Sequence, residues 1–451
     1  MDPLAAVKWF NTALFGTNIV LAGLLIRRLT GGFLWASVFG SFLVATSVDT
    51  LGVHSMAGTE GLFILFLLLG LLALAEYVDT DRGLHLLLIS ASAVGLASLT
   101  KYAGLALVLA GSASVLLLTR APLRSRLASS ALYAVAGSLP LALWLARNLL
   151  VAGNATGAGR NLGFHPVTLA HLRDGVVTFA GWVLPIADSG TVASLGTLAM
   201  FSGLVGVALL AVRRSRGLQG TRLVSESVRN NRSTVLVLAI ALSQLAFLVI
   251  SISFADLSLS FEKRLLAPAY VCLLVTAVSS AYHLVRVASG AWLKAYLLGI
   301  CGAVAAVYLI GGTAWVARSY DNGRFYASRD WHQSELIRWI KDRPEGTIIY
   351  TNGADAVYLL AGRIAVSVPR ETDPFTRQPN PGYIAELKEL KQRMDGPNAF
   401  LVYFRAIGWR SYLPSEDELK GQLQLRLVES KPDGAIYVSP QTTWLNQSPG
   451  N

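Results

Sequence analysis

The sequence predicts a polytopic α-helical membrane protein of about ten spans, followed by a C-terminal soluble α/β domain. Three observations predict it. Of 451 residues, 53% are hydrophobic and only 14% charged, about half the charged share of an ordinary soluble domain. The apolar residues gather into runs long enough for a bilayer, whose hydrocarbon, about 30 Å thick, takes roughly 20 residues to cross. The charge also changes character near residue 318: from there on the chain holds 17 Lys+Arg and 16 Asp+Glu, so nearly all of the net charge of +11 belongs to the apolar part.

Taken in order, the predicted spans are 4–26, 33–48, 61–77, 84–99, 102–119, 127–148, 191–212, 234–252, 265–284 and 291–316. The second and fourth are the shortest. Lys and Arg are retained on the cytoplasmic side of short loops. With the first helix running from outside to inside, 14 cations fall in inner loops, among them Arg27, Arg28, Arg213, Arg214 and Arg232. Seven fall outside: Lys8, Lys101, Arg147, Arg160, Arg173, Lys263 and Arg264. Ten spans then leave the C-terminal segment outside. The first run is read as a retained helix and not a cleaved signal peptide, because Arg27 and Arg28 follow the apolar stretch instead of preceding it.

The composition excludes several classes. A nucleic-acid partner needs a basic stripe on a polar domain, whereas these cations are scattered between apolar runs. Cys272 and Cys301 both lie in apolar stretches and lack the clustered spacing of a disulfide framework or thiolate metal site. No ionisable residue stands at mid-span, which argues against ion-coupled transport; the most polar mid-span residue, Gln244, is expected to make a helix–helix hydrogen bond.

The charges gather instead at the predicted outer boundary, including Asp49, His54, Glu60, Lys101, Arg147, Arg160, Asp174, Asp188, Asp256, Glu262, Lys263 and Arg264. The 150–190 connection is long and flexible at its start, and 167–184 is apolar enough to lie in the interface with Trp182 at headgroup depth. It reads equally as a substrate loop or as a surface helix covering the bundle.

After residue 318, short β-rich runs alternate with helical patterns. Helices are predicted at 334–341, 354–360 and 383–394, and strands at 347–350, 364–368 and 400–404. A closing hairpin of 423–428 and 435–438 is joined by Pro432-Asp433-Gly434. The expected product is a small α/β sandwich with a mainly parallel sheet. No glycine-rich phosphate loop is present, so nothing in this domain argues for a nucleotide.

Four segments, in order, resemble a known family: VHSMAGTEGLF at 53–63, ASLTKYAGL at 97–105, PLALWLARN at 140–148 and EKRLLAP at 262–268. Together with the topology they resemble the GT-C glycosyltransferases, and more closely the branch containing protein mannosyltransferases and lipid A aminoarabinose transferases. The resemblance covers residues 1–317, leaving 318–451 as an extracytoplasmic soluble domain. It implies transfer of a sugar from a polyprenyl-phosphate donor to a glycan, lipid or protein acceptor at the extracytoplasmic face of the cell membrane, with no cofactor assigned and the need for a divalent metal undecided. The leaving group of such a reaction is a lipid phosphate, whose developing charge calls for fixed cations.

Lys101, Arg147 and Arg264 are the implied phosphate-binding residues. Trp144, one helical turn from Arg147, and Arg160 are implied contacts to the substrate. The competing reading of Arg147 and Arg264 is that they anchor helix ends by snorkelling. In this family the first outer loop carries the catalytic carboxylate, and the chain's opening resembles the segment after that loop, so it reads as lacking the usual first helix. Asp49 and Glu60 are then the remaining carboxylates for a base, although Glu60 also suits a helix N-terminus. The alternative from another class is a non-catalytic polyprenyl-lipid binding or flippase-type protein on the same fold.

Overall fold

The protein is described by a computed structural model covering residues 3–156, 164, 166–183, 232–254, 259–288, 290–375 and 377–441. The chain divides into two compact units, Met1–Val316 and Ala317–Asn451.

The first unit is helical: α1 (Pro3–Leu29), α2 (Leu34–Thr46), α3 (Val48–His54), α4 (Glu60–Thr80), α5 (Leu84–Thr100), α6 (Gly104–Leu118), α7 (Leu123–Ala152), α8 (Leu169–Val183), α9 (Arg232–Phe254), α10 (Lys263–Val287) and α11 (Ala291–Asn322). Among the described residues six helices are long and apolar enough to cross a membrane, or seven if α2 and α3 together make one bent span. The expectation of ten full spans is corrected accordingly. The run predicted at 33–48 forms α2 and ends in a 61° bend into α3, because Ser47 leaves helical geometry and its hydroxyl caps Thr50 N at the start of α3. The runs at 84–99 and 102–119 form two shorter apolar helices, and the run at 191–212 lies outside the described residues.

Helix α4 is the centre of this unit and packs against α1, α5, α9 and α10. Its Phe63, Ile64, Leu67 and Leu68 are buried among Leu25 and Ile26 of α1, Leu87 of α5, Leu107 of α6, Leu236 of α9 and Val271 of α10. By contrast α7 and α11 present Leu132, Val135, Leu139, Leu143, Leu298, Leu309 and Ile310 outward. Apolar surface on this scale is stable against lipid and not against water. Helix α8 packs one face on the bundle. Trp182 is buried, its ring against Phe179 and Tyr270, and Thr178 Oγ1 donates to the Phe261 carbonyl at 2.8 Å. Of the two readings of this segment, the surface helix covering the bundle describes its packing.

The second unit contains α12 (Arg329–His332), α13 (Glu335–Lys341), β1 (Ile348–Thr351), α14 (Ala354–Ala361), β2 (Val366–Ser367), α15 (Tyr383–Met394), β3 (Ala399–Phe404), α16 (Glu416–Leu423), β4 (Arg426–Lys431) and β5 (Gly434–Val438). The sheet order is β2-β1-β3-β5-β4. β1 is parallel to β2 and β3, while β5 is antiparallel to β3 and β4, so the sheet is half parallel and not mainly so.

Alternation along β3 builds two cores. Phe400, Val402 and Phe404 face Trp331, Ile337 and Ile340, and Ala399 and Leu401 face Leu387, Leu390, Met394 and Leu419. The predicted hairpin forms, but residue 423 ends helix α16, which the sequence reading missed, and the strand begins at Arg426.

Candidate functional site

Glu60 opens α4, and α5 ends near it. Lys101 follows α5 in extended conformation and α6 begins at Gly104. A Cβ at Gly104 would collide with the Ser98 backbone, so this elbow admits only glycine. The turn aims Lys101 at α4: its Nζ lies 2.7 Å from Glu60 Oε1. Arg264, in the first turn of α10, places its Nε 3.6 Å from the same oxygen. The Glu60 side chain is 3% exposed, against 21% for Lys101 and 49% for Arg264. A buried carboxylate thus holds two cations that reach outward.

Lys101 also lines a cavity of about 590 Å³, walled by Phe63, Tyr102, Leu141, Trp144, Phe247 and Leu265, with Ser98, Gln244 and Ser251 among its polar groups. Gln244 Nε2 donates to the Ala103 carbonyl at 3.2 Å, so the bond expected between helices runs instead from α9 to the turn that precedes α6. An apolar chamber with a cation at one wall suits an amphiphile with an anionic head.

Beside this cluster, Asp49 on α3 is buried, and its Oδ1 has no hydrogen-bond partner. Lys263 Nζ stands 3.6 Å away, too long for a hydrogen bond but close enough for attraction. Behind α3, Tyr270 donates to Ser47 Oγ at 2.8 Å and lies 3.1 Å from the Tyr308 hydroxyl, which donates to the Trp182 carbonyl at 2.5 Å. This chain fastens α10, α11 and α8 to the α2–α3 break. Among the described residues no three His, Cys, Asp or Glu side chains gather to hold a metal.

The structure therefore brings together Glu60, Lys101 and Arg264 and sets Asp49 next to them through the adjacent Lys263. Arg147 is placed differently: its guanidinium lies 5.1 Å from the Trp144 ring centroid and its Nη1 donates to Asn148 Oδ1 at 3.2 Å. Among the described residues it joins the site through Trp144, which lines the cavity. Arg160 lies outside the described residues. Sequence reasoning did not single out Lys263, Asn18, Tyr270 or Tyr308 as site residues. For Asn18 a signal existed, an amide in the middle of an apolar run.

The opposite end of the bundle is built otherwise. Arg28 pairs with Glu76 and Asp79. Buried Arg232 donates to the carbonyls of Val78 at 2.9 Å and Leu118 at 3.1 Å, and Ser233 Oγ donates to Asp79 Oδ2 at 2.7 Å.

No protein-family model matches the chain, and no curated protein matches it. Two solved structures of the Archaeoglobus fulgidus oligosaccharyltransferase are similar. The complex with Zn and sulfate is 12% identical with a TM-score of 0.47, over 96% of this chain and 61% of that one. The apo form is 11% identical with a TM-score of 0.48, over 97% and 64%. The chain thus spans about three fifths of the length of these structures.

Proposed function

We propose that the protein is a membrane glycosyltransferase that moves a sugar from a polyprenyl-phosphate donor to an acceptor at the extracytoplasmic face, with residues 318–451 forming a soluble domain on that same side. The observation that carries this reading is the Lys101–Glu60–Arg264 triad, whose Lys101 lines an apolar cavity. A polyprenyl phosphate needs a greasy chamber and fixed cations at one end of it, and two cations that emerge from one buried carboxylate provide them.

In the proposed reaction the bond between the sugar's anomeric carbon and the phosphate oxygen breaks. The electron pair leaves on the phosphate, where Lys101 and Arg264 neutralise it. The acceptor hydroxyl gives its proton to a carboxylate as its oxygen bonds to that carbon. Asp49 suits this role better than Glu60, since Asp49 Oδ1 has no hydrogen-bond partner whereas Glu60 Oε1 is held by Lys101. Trp144, with Arg147 over its ring, is assigned to the sugar or the first isoprene units.

The test uses the full chain in nanodiscs with polyprenyl-phosphate-linked sugars, reading donor binding and the release of free polyprenyl phosphate. Binding that falls at least tenfold in Arg264→Gln, with release lost in Asp49→Asn, is the expected result. Binding without release for any sugar returns the protein to the lipid-binding alternative. No binding at all removes the donor site.

A further inference from the structure

Behind the two carboxylates lies a buried chain of polar groups that the reaction above does not use. His54, at the end of α3, has both ring nitrogens engaged: Nδ1 is 2.7 Å from the Thr50 carbonyl oxygen and Nε2 is 2.9 Å from Asn18 Nδ2. Asn18 Nδ2 also donates to the Gly61 carbonyl at 2.9 Å. The two ends of this chain assign its protons. A main-chain carbonyl only accepts, so the amide of Asn18 must present its nitrogen to Gly61, and His54 must carry its proton on Nδ1 to reach Thr50. Nε2 is then the bare nitrogen, accepting the second N–H of Asn18, and the imidazole is neutral. Asn18 Oδ1 remains buried without a partner.

The chain ties together α1 through Asn18, α3 through His54 and α4 through Gly61. Asp49 rides on α3, and Glu60 is the residue before Gly61. We propose that Asn18 and His54 are positioning residues forming a proton-sensitive clamp: closed with His54 neutral, it holds the helices of Asp49 and Glu60 together, and protonation of His54 opens it and weakens the donor site. This regulation rests on the reading of the Glu60, Lys101 and Arg264 cluster as that site.

A second proton on the ring sets donor against donor at Nε2. Rotating the Asn18 amide does not cure this, because it turns Oδ1 toward the Gly61 carbonyl and sets acceptor against acceptor, so one buried hydrogen bond is lost either way. The ionisable groups on the elements around His54 do not offer compensation. Asp49 on α3 is opposed by Lys263 of α10, and Glu60 on α4 by Lys101 and by Arg264 of α10. Helix α2 has no ionisable side chain, and α1 brings only cations, Lys8, Arg27 and Arg28, whose charge opposes an imidazolium. Space is also short: a Cβ at Gly61 would stand 3.0 Å from His54 Cδ2, and the Phe15 ring lies 5.0 Å from the imidazole.

The experiment has two readouts on the full chain in nanodiscs between pH 8 and pH 5.5: hydrogen exchange of the 53–63 segment, corrected for intrinsic chemistry, and binding of a short-chain polyprenyl phosphate. In the native protein exchange is expected to rise about tenfold on acidification, the cost of one buried hydrogen bond, with affinity falling by a similar factor. His54→Gln supplies an acceptor to Asn18 without titrating and should stay protected and tight-binding at both pH values. His54→Ala should exchange fast at both. An acid response that persists in His54→Gln, or a flat exchange profile in the native protein, overturns the clamp. The exchange response without polyprenyl-phosphate binding at any pH upholds the clamp and overturns the donor-site reading instead.

Discussion

Replacing Glu60 by Gln should make the protein less stable and yet bind an anionic lipid more tightly. The carboxylate accepts from Lys101 at 2.7 Å and faces Arg264 at 3.6 Å. Removing one partner of a fully buried ion pair costs about 3–5 kcal/mol. Here the cations keep 21% and 49% of their side-chain surface, so solvent screening reduces the loss to about 1.5–3 kcal/mol. The effect on binding has the opposite sign. A phosphate that contacts Lys101 lies about 6 Å from the Glu60 carboxylate, and like charges at that distance repel by about 3 kcal/mol at an effective dielectric of 20. Halved for exposure, this gives about 1.5 kcal/mol, or roughly tenfold in affinity. Melting in detergent and titration with a polyprenyl phosphate in nanodiscs read the two quantities separately, and the ligand-induced rise in melting temperature should be larger in the variant. Lys101→Met should bind more weakly, and in the double variant most of the Glu60→Gln gain should vanish. If Glu60→Gln stays folded but binds more weakly than the native protein, the carboxylate touches the donor directly and the competition argument is wrong.

Three further outcomes are expected. Gly104→Ala should disrupt the α5–α6 elbow, since its Cβ meets the backbone of Ser98; a loss of 2 kcal/mol or more, on the order of an overpacked core, with weakened polyprenyl-phosphate binding would be measured by denaturation and titration. In the second unit, the Arg405 guanidinium at 2.8 and 2.9 Å holds the Glu416 carboxyl below the usual carboxylate range, with the Tyr437 hydroxyl adding to this and burial opposing it. A depressed value gives stability that is full above about pH 4.3 and lost as pH falls through the folded value, so acid unfolding of residues 317–451 should come at higher pH in Glu416→Gln, read by circular dichroism on that segment expressed alone. For topology, with Cys272 and Cys301 replaced, a cysteine at Ser225 should resist an impermeant thiol reagent in intact cells while one at Gln422 reacts; the reverse pattern would invert the assigned orientation.

What the sequence revealed and what it concealed divide along a physical line. Glu60, Lys101 and Arg264 were each legible as charges where charge is expensive, yet nothing local shows that they meet, because Glu60 and Lys101 are 41 residues apart and Arg264 arrives from α10. The end of the 33–48 run at Ser47 was legible, but helix α3 beyond it was read as a loop despite a local signal, a capping serine with Asp49 in the following turn. In the second unit the 383–394 helix and the 400–404 strand were readable because their periods differ. Helix α16 was not, since Ser415 to Leu423 presents few apolar positions, and only Leu419 and Leu423 are buried. Asn18 and His54 form one hydrogen bond across two helices, and neither residue type predicts the other.

The contrast between the two ends of the bundle bears on why Lys263 and Arg264 are there. At the end of the bundle that holds Arg28, Arg232 meets the carbonyls of Val78 and Leu118, the last turn of α4 and of α6, where a cation both satisfies orphan acceptors and complements the helix dipole. That placement is explained by stability alone. Lys263 and Arg264 stand in the first turn of α10, the positive end of its dipole, where a cation is disfavoured by a few tenths of a kcal/mol to about 1 kcal/mol. Each is about half exposed, and the contacts to Asp49 and Glu60 are 3.6 Å long, so neither gains a tight pair among the described residues. Snorkelling accounts for a long cation at a helix end but not for two consecutive ones at the unfavourable end. Acidic Asp49 and Glu60, by contrast, begin α3 and α4, where an acid is welcome. A pair of cations held against the dipole, partly satisfied and open to solvent, has electrostatic capacity left for an anion, which is what the proposed donor phosphate would take up.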